Sequence, residues 1–547
     1  LGFHSIQTEK TAFVKKERGL TAVRESHTVD GPDEAEEFTS RRRGKPLHPE
    51  SPLWKIMHPR SVAWLGASNN LAKMGTIQLK NLLDAGFSGS VYPIHPTEET
   101  VLGLRAYPNA AALPEIPDMA FIVVPARVLV ELVEDLGRRG VKRAVIVSGG
   151  FKEMGEEGSG REAALVSAAE RYGMRFLGPN CIGVMHTREG LNTTMFPMSV
   201  APGPVGLVSQ SGSYVTQVQL YLKRLGIRLS QAVSVGNEAS IDVVDCLQYL
   251  GDQDDTKAVI LYLETLRRPR RFFEVAREVA RVKPVAALYV GGTEAGGRAG
   301  RSHTGALAGN DRLYDALFRQ SGVVRVFTLE DLYTVGYALA CQPPLRGRRV
   351  GIVSHSGGPV TSMADACERH GLEVPVFSEI LQKALKPLLP ATASAANPVD
   401  LTFGLGQGEM ATTIPRRILE SGEVDGVLIH GIMGSSYREA FFRYFEDSLR
   451  VSLRDIERAQ EEALVELAGI PGDTGKPVIC SSFMDRDQDD CTKFLQDKGI
   501  PVLATPEKAV RVMAALGCCG SRRKVRSGEG GKFAEGRASN PSSPDPD

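Results

Sequence analysis

A single histidine, His303, sits in the stretch GRAGRSHTGALAG (residues 297–309), set among glycines and small residues in a chain with ten histidines. Each glycine weakens a helix or strand by about 0.5–1 kcal/mol relative to alanine, so the stretch predicts a loop. Two chemistries fit an imidazole there. It is either a loop histidine satisfied by backbone hydrogen bonds, or a nucleophile whose neutral ring nitrogen accepts a phosphoryl group while a carboxylate orients the other nitrogen. Glu264, at the end of the apolar run AVILYLETL (258–266), is the candidate carboxylate; the alternative is an exposed strand-end acid. Two S-x-S-G turns offer an anion cradle: Ser211, Gly212 and Ser213 in VSQSGS, and Ser356, Gly357 and Gly358 in VSHSGG. At such a turn hydroxyls, unpaired amides and the positive end of a helix converge. Serine at a helix start is most often an ordinary N-cap, and it is the matched pair that points to a ligand. His355, inside the second turn, is a rival imidazole. Both turns lack the first glycine of G-x-S-x-G, which argues against a serine nucleophile.

A third small-residue turn lies in WLGASNNLAKMG (64–75), where a strand empties into Gly66, Ala67 and Ser68 before a helix. Backbone amides there can approach a phosphate, although the spacing is not G-x-G-x-x-G and a tight βα turn without ligand reads the same way. The segments YPIHP (92–96), VVP (123–125), SGGF (148–151) and GPNC (178–181) are further strand ends, expected at the same carboxyl edge of one sheet, where open α/β sheets bind ligands.

The elements that must position these residues are legible. Strand-like runs such as SVAWLGA, MAFIVVP and RAVIVSGG alternate with helical patterns such as ARVLVELVEDLGRRG, which predicts an α/β protein whose parallel sheets are covered on both faces. GPVGLVSQSGS (203–213) and RRVGIVSHSGG (348–358) share the core G-[LI]-V-S-x-S-G, the mark of a duplicated module, and QPPLRGRR (342–349) punctuates the chain before the second copy. The expected organisation is a flexible leader at 1–50, domains at 51–190, 191–341 and 346–517, and a disordered Gly/Ser/Pro-rich tail at 518–547.

Length alone, 547 residues, requires more than one core. Lysine plus arginine equals aspartate plus glutamate at 65 each, so overall charge draws the chain neither to nucleic acid nor to an anionic membrane. No apolar run is long enough to span a membrane. The eight cysteines contain no C-x-x-C pair and fit a reducing cytoplasm. The first residue is Leu1, so little weight rests on the start.

Taken in order from about residue 54 to 517, the motifs GASNNLAKMG, IVSGGFKEMGEEG, GPNCIG, GLNTT, VSQSGS, SVGNEASIDVVD, LYLE, SHTGALAG, VSHSGGP, NPVDLT and GIPVLATPEKAV resemble the α subunit of ADP-forming acyl-CoA synthetases (acetate:CoA ligases), relatives of succinyl-CoA synthetase. The resemblance implies a Rossmann-like CoA-binding domain followed by two flavodoxin-like, succinyl-CoA synthetase-like domains. It implies coenzyme A bound by Gly66, Ala67, Ser68, Asn69, Lys73, Pro93, Val124, Pro125, Ser148, Gly149, Gly150, Asn180 and Cys181. It implies that His303 is phosphorylated, that Glu264 pairs with it, and that the turns at Ser211–Ser213 and Ser356–Gly358 face each other across the phosphate, with no metal at that site. A small carboxylic acid or acyl-CoA is the substrate; ATP or ADP with Mg²⁺ belongs to an ATP-grasp β subunit, for which this chain has no segment. The chain departs from the family in having His95, Pro96 and Thr97 where NPK is usual, and HSGGPV, with Val360, where NAGGPG is usual. A scaffold that kept the fold without turnover is the rival reading, although it needs neither His303 nor Glu264. A nicotinamide-dependent dehydrogenase, resting on the first turn alone, ranks last.

Overall fold

The computed structural model describes residues 51–197, 201–298, 309–402, 407–432, 434, 444 and 452–524. The expected leader at 1–50, the tail beyond 524 and His303 itself lie outside the described residues. No helix among them is long and apolar enough to cross a membrane.

Three larger sheets form among the described residues, beside a two-stranded hairpin of Thr100–Val101 with Leu104–Arg105. The first holds β1 (Ser61–Leu65), β2 (Ser90–Ile94), β3 (Met119–Ile122), β4 (Arg143–Ile146) and β5 (Arg175–Leu177) in the order β2-β1-β3-β4-β5, all parallel. The second holds β6 (Val184–His186), β7 (Leu191–Asn192), β8 (Val205–Ser209), β9 (Leu229–Ser234), β10 (Ala258–Leu263), β11 (Val285–Tyr289) and β12 (Val324–Val326) in the order β12-β11-β10-β8-β9-β6-β7. The third holds β13 (Val350–Ser354), β14 (Val399–Asp400), β15 (Gly426–His430), β16 (Val478–Ser481) and β17 (Val502–Leu503) in the order β14-β13-β15-β16-β17, again all parallel. All three repeat one plan among their parallel strands: the first lies between the second and the third, β1 between β2 and β3, β8 between β9 and β10, and β13 between β14 and β15. The chain therefore reverses direction of growth beside the first strand, and the crevice beyond its carboxyl end is where such sheets take ligands. Strands β1, β8, β10, β11, β13 and β15 are buried at every position, as parallel strands between two helical layers must be.

Two features depart from the sequence reading. Strands β6 and β7 precede residue 191 or straddle it, yet they belong to the second sheet: β6 runs antiparallel to β9, with Gln231 opposite His186, and β7 antiparallel to β6. The second sheet is thus parallel with an antiparallel hairpin on one edge, and the boundary at 190 cuts that hairpin. Strands of three and two residues carry too little alternation to be read as strands. At the other end, the last helix runs Pro506–Lys524, past the boundary at 517, because AVRVMAALG leads without a breaker into GCCGSRRK.

Apolar packing is continuous across the domains. One cluster joins Trp64 and Phe121 of the first sheet to Leu247, Phe272 and Phe318 around the second. Another joins Leu207 and Ile260 of the second to Ile352, Met363 and Met513 of the third.

Candidate active site

The carboxyl edge of the first sheet gathers the residues expected to bind coenzyme A. Gly66 leaves β1 at φ +98°, and a Cβ there would lie 2.0 Å from the Val123 carbonyl oxygen, so only glycine lets this turn pass so close to β3. Ala67 and Ser68 are buried; the Ser68 amide donates to Thr76 Oγ1 at 3.0 Å and the Thr76 hydroxyl donates to the Ser68 carbonyl at 3.1 Å. Asn69 is exposed and donates to the Thr100 carbonyl at 2.8 Å. Lys73 is exposed at the N-cap of the helix Met74–Asp84 and pairs with no carboxylate among the described residues, which leaves its ammonium for a ligand phosphate.

Along the same edge, the Ser148 hydroxyl donates to the Val124 carbonyl at 2.6 Å and accepts the Val124 amide at 3.1 Å, and Pro125 opens the helix Ala126–Arg139. Gly149 is exposed beside Gly150, whose φ is +101°. Asn180 is exposed at φ +58° and donates to Asn237 Oδ1 at 3.3 Å. These exposed residues and the unpaired lysine fit a ligand carrying phosphates. Two of the expected residues face elsewhere: Pro93 is buried within β2 opposite Trp64, and the Cys181 thiol is buried against the Ile146 carbonyl at 3.3 Å, with burial pushing its pKa up to about 12. In the turn that departs from the family pattern, His95 Nδ1 accepts the Glu98 amide at 3.0 Å.

In the second sheet, the turn after β8 folds on its own hydroxyl. Ser209 Oγ donates to the Ser211 carbonyl at 2.7 Å and accepts the Ser211 amide at 3.2 Å. The residue between them, Gln210, is buried and fully engaged: its Nε2 donates to the Glu238 carboxylate at 2.7 Å and to the Thr265 carbonyl at 2.9 Å, while its Oε1 accepts the amides of Glu264 and Thr265. Glu264 follows β10 directly, so this one amide ties the turn at Ser211 to the strand end that carries the candidate carboxylate. The helix expected after the turn is broken into Ser213–Thr216 and Gln219–Arg224. Thr216 Oγ1 donates back to the Gly212 carbonyl at 3.2 Å, as Thr361 Oγ1 does to the Gly357 carbonyl at 2.9 Å in the third domain. Four residues sum to little dipole, so an anion at Gly212 and Ser213 would be met mainly by amides and hydroxyls.

The third sheet repeats the turn. Ser356 donates its amide to Ser354 Oγ at 3.2 Å, and Ser354 Oγ donates to the Ser356 carbonyl at 3.4 Å. Here the helix that follows, Gly357–Arg369, is unbroken, and Gly358 has open space where a Cβ would stand. The middle residue is His355, which is 3 % exposed and has neither ring nitrogen hydrogen-bonded among the described residues. Burial depresses its pKa. His430, at the end of the neighbouring strand, shares a hydrogen bond of 2.9 Å between Nδ1 and Ser481 Oγ, and burial lowers its pKa to about 4.

The structure therefore brings Ser211–Ser213 and Glu264 together through Gln210, sets Ser356–Gly358 at the equivalent place in the third sheet, and leaves His303 outside the described residues. Sequence reasoning missed Gln210, Glu238 and His430. Glu238 is 4 % exposed at φ +58°, accepts the Val243 amide at 2.7 Å, and is pushed up to about 7 by burial. Its signal was present in the GNEAS segment, where a charged residue sits two positions after the glycine of a tight turn.

A model of the CoA binding domain matches residues 60–187, and a model of the succinyl-CoA ligase-like flavodoxin domain matches residues 202–339. The α subunit of acetate–CoA ligase [ADP-forming] I of Pyrococcus furiosus is 35% identical over 468 residues, which cover 85% of this chain and 97% of that subunit. The α subunit of its isoenzyme II is 35% identical over 84% of this chain and 96% of its own length. Acetate–CoA ligase [ADP-forming] I of Archaeoglobus fulgidus is also 35% identical over 85% of this chain, but the chain spans only 63% of that longer relative. Among solved structures, the dinucleotide-forming acetyl-coenzyme A synthetase 1 of Ca. Korarchaeum cryptofilum, in complex with phosphate and ADP, is 31% identical with a TM-score of 0.76, covering 86% of this chain and 97% of that one.

Proposed function

This chain belongs to the family of ADP-forming acetate–CoA ligase α subunits, and on that premise we propose that it is the CoA-binding, phosphohistidine-carrying half of a reversible acyl-CoA ligase. The reaction converts acyl-CoA, phosphate and ADP to a carboxylic acid, CoA and ATP. Phosphate held between the turns at Ser211–Ser213 and Ser356–Gly358 attacks the thioester carbonyl, giving an acyl phosphate and releasing CoA as its thiol. The imidazole of His303 then takes the phosphoryl group, freeing the carboxylate, and passes it to ADP. Glu264 holds the other ring nitrogen and stabilises the charge that develops on the imidazole. CoA occupies the carboxyl edge of the first sheet, with Lys73 and the amides near Gly66 and Gly149 toward its phosphates. ADP and Mg²⁺ reside on a separate ATP-grasp subunit. The free cysteines among the described residues support a reducing, cytoplasmic setting.

The observation that carries this reading is the wiring of Gln210. A single side chain fixes both the phosphate turn and the strand end bearing Glu264, as a phosphoryl relay requires and a bare CoA-binding scaffold does not. The test mixes the chain with an ATP-grasp subunit, Mg²⁺ and ATP labelled in its γ-phosphate. Acid-labile, base-stable label is expected on the native chain and absent from His303→Ala. Label on that variant overturns the assignment of His303, and no label with any such partner overturns catalysis.

A further inference from the structure

A second histidine cluster lies apart from these turns, where the first sheet meets the second. His58 follows the short helix Trp54–Met57 and leads into β1, His186 ends β6, and Glu189 stands in the turn of the β6–β7 hairpin. One nitrogen or oxygen from each of the three lies within 4.8 Å of the other two. Each imidazole is braced at its ε nitrogen: the Tyr249 hydroxyl lies 2.9 Å from His58 Nε2, and Asp255 Oδ2 lies 3.0 Å from His186 Nε2. The δ nitrogens have weaker company. His58 Nδ1 is 3.7 Å from Glu189 Oε1, and His186 Nδ1 is 3.2 Å from the Met57 carbonyl. Trp54 stacks on His58 at 4.3 Å, and the two imidazoles cross edge to face at 4.8 Å, so the rings have little freedom to turn.

This is the arrangement of a metal site more than of a polar seam. The 3.7 Å between His58 Nδ1 and Glu189 Oε1 is too long for a hydrogen bond. It is close to the roughly 3.4 Å that separates two ligands sharing a tetrahedral ion at about 2.1 Å each. Metal-binding histidines are characteristically held at their other nitrogen by a carboxylate or similar group, the part that Asp255 and Tyr249 play here.

We propose that His58, His186 and Glu189 bind one divalent transition-metal cation of the zinc type, which clamps the first sheet to the second. Two imidazoles and one carboxylate suit zinc, cobalt or nickel better than magnesium or calcium. Glu189 is half exposed and gives the ion its way in, with water in the fourth position. As the ion binds His186 Nδ1, the proton of that nitrogen passes to solvent, so affinity falls as pH falls.

The test uses the full chain, stripped with a chelator, returned to chelator-free buffer and titrated with Zn²⁺ by calorimetry and with Co²⁺ by visible absorption. One equivalent is expected to bind at micromolar concentration or below, with the intense absorption of tetrahedral cobalt and a rise in Tm. Affinity should fall by roughly tenfold or more in both His58→Gln and Glu189→Gln. Glu189 lies at the surface, so Glu189→Gln, checked by circular dichroism, decides the matter if His58→Gln fails to fold. Absence of binding at micromolar metal, or binding equally tight in Glu189→Gln, overturns the proposal.

Discussion

The turns at 209–213 and 354–358 are copies of one another down to the hydroxyl of the first serine, which bonds the amide and carbonyl two residues on in both. They differ in the residue between the serines and in the helix beyond. Gln210 spends its amide on four partners and anchors the end of β10, in front of a helix that breaks after one turn. His355 is just as deeply placed, bonds none of the described residues through its ring, and stands before an unbroken helix of 13 residues. Duplication has conserved the cradle and divided the labour: one copy is built to hold its surroundings still, the other keeps donor and acceptor capacity and a full dipole for something that arrives.

The largest break in that comparison should come from Gln210→Ala. It strands the buried Glu238 carboxylate and the amides of residues 264 and 265, and each buried unpaired group costs about 1–3 kcal/mol. A loss of about 3 kcal/mol is expected, read as a drop in the midpoint of urea unfolding. Next is the pH dependence of Glu238. Its folded pKa of about 7 lies above the ordinary 4.5, so the native state binds more protons than the unfolded chain between those values and stability falls as pH rises through that window. The difference in unfolding free energy between the native chain and Glu238→Gln, from urea unfolding, should therefore shift against the native chain from pH 4.5 to 7, by up to about 3 kcal/mol; a difference that stays constant would show that Glu238 is not so perturbed.

Smaller effects separate the turns further. His355→Leu replaces a buried imidazole whose nitrogens bond none of the described residues with an apolar side chain, and should stabilise the isolated chain by about 1 kcal/mol, opposite in sign to Gln210→Ala. The smallest effect belongs to the glycines: a Cβ at Gly212 would lie 3.0 Å from Ile182 Cβ, whereas Gly358 has open space. Gly212→Ala should lower stability by about 1 kcal/mol, while Gly358→Ala should raise it by a few tenths, since alanine restricts the unfolded chain. Differential scanning calorimetry on both variants checks the pair.

Much of this was legible from residues alone. VGLVS and VGIVS announced themselves as fully buried parallel strands, and their repetition disclosed the duplicated module, because a strand between two helical layers must be apolar at every position. The break between Thr216 and Gln219 was hidden, because residues 213–224 contain no glycine or proline to mark it. Gln210 was hidden for a different reason: its four partners come from strand ends 28 to 55 residues away, and an uncharged amide at a turn carries no local mark of that reach. Glu238 went unremarked because its burial is a property of the assembled fold.

The hairpin of β6 and β7 has a consequence for how the molecule can be divided and how it can move. Chain that has just completed the first domain seals the flank of the second, covering the outer ladder of Gln231, Ala232 and Val233 on β9. A cut at 190 would leave that ladder bare, an invitation to strand addition between molecules. A division that keeps the second sheet whole has to fall before Val184, and the apolar packing shared by the first two sheets opposes their swinging apart.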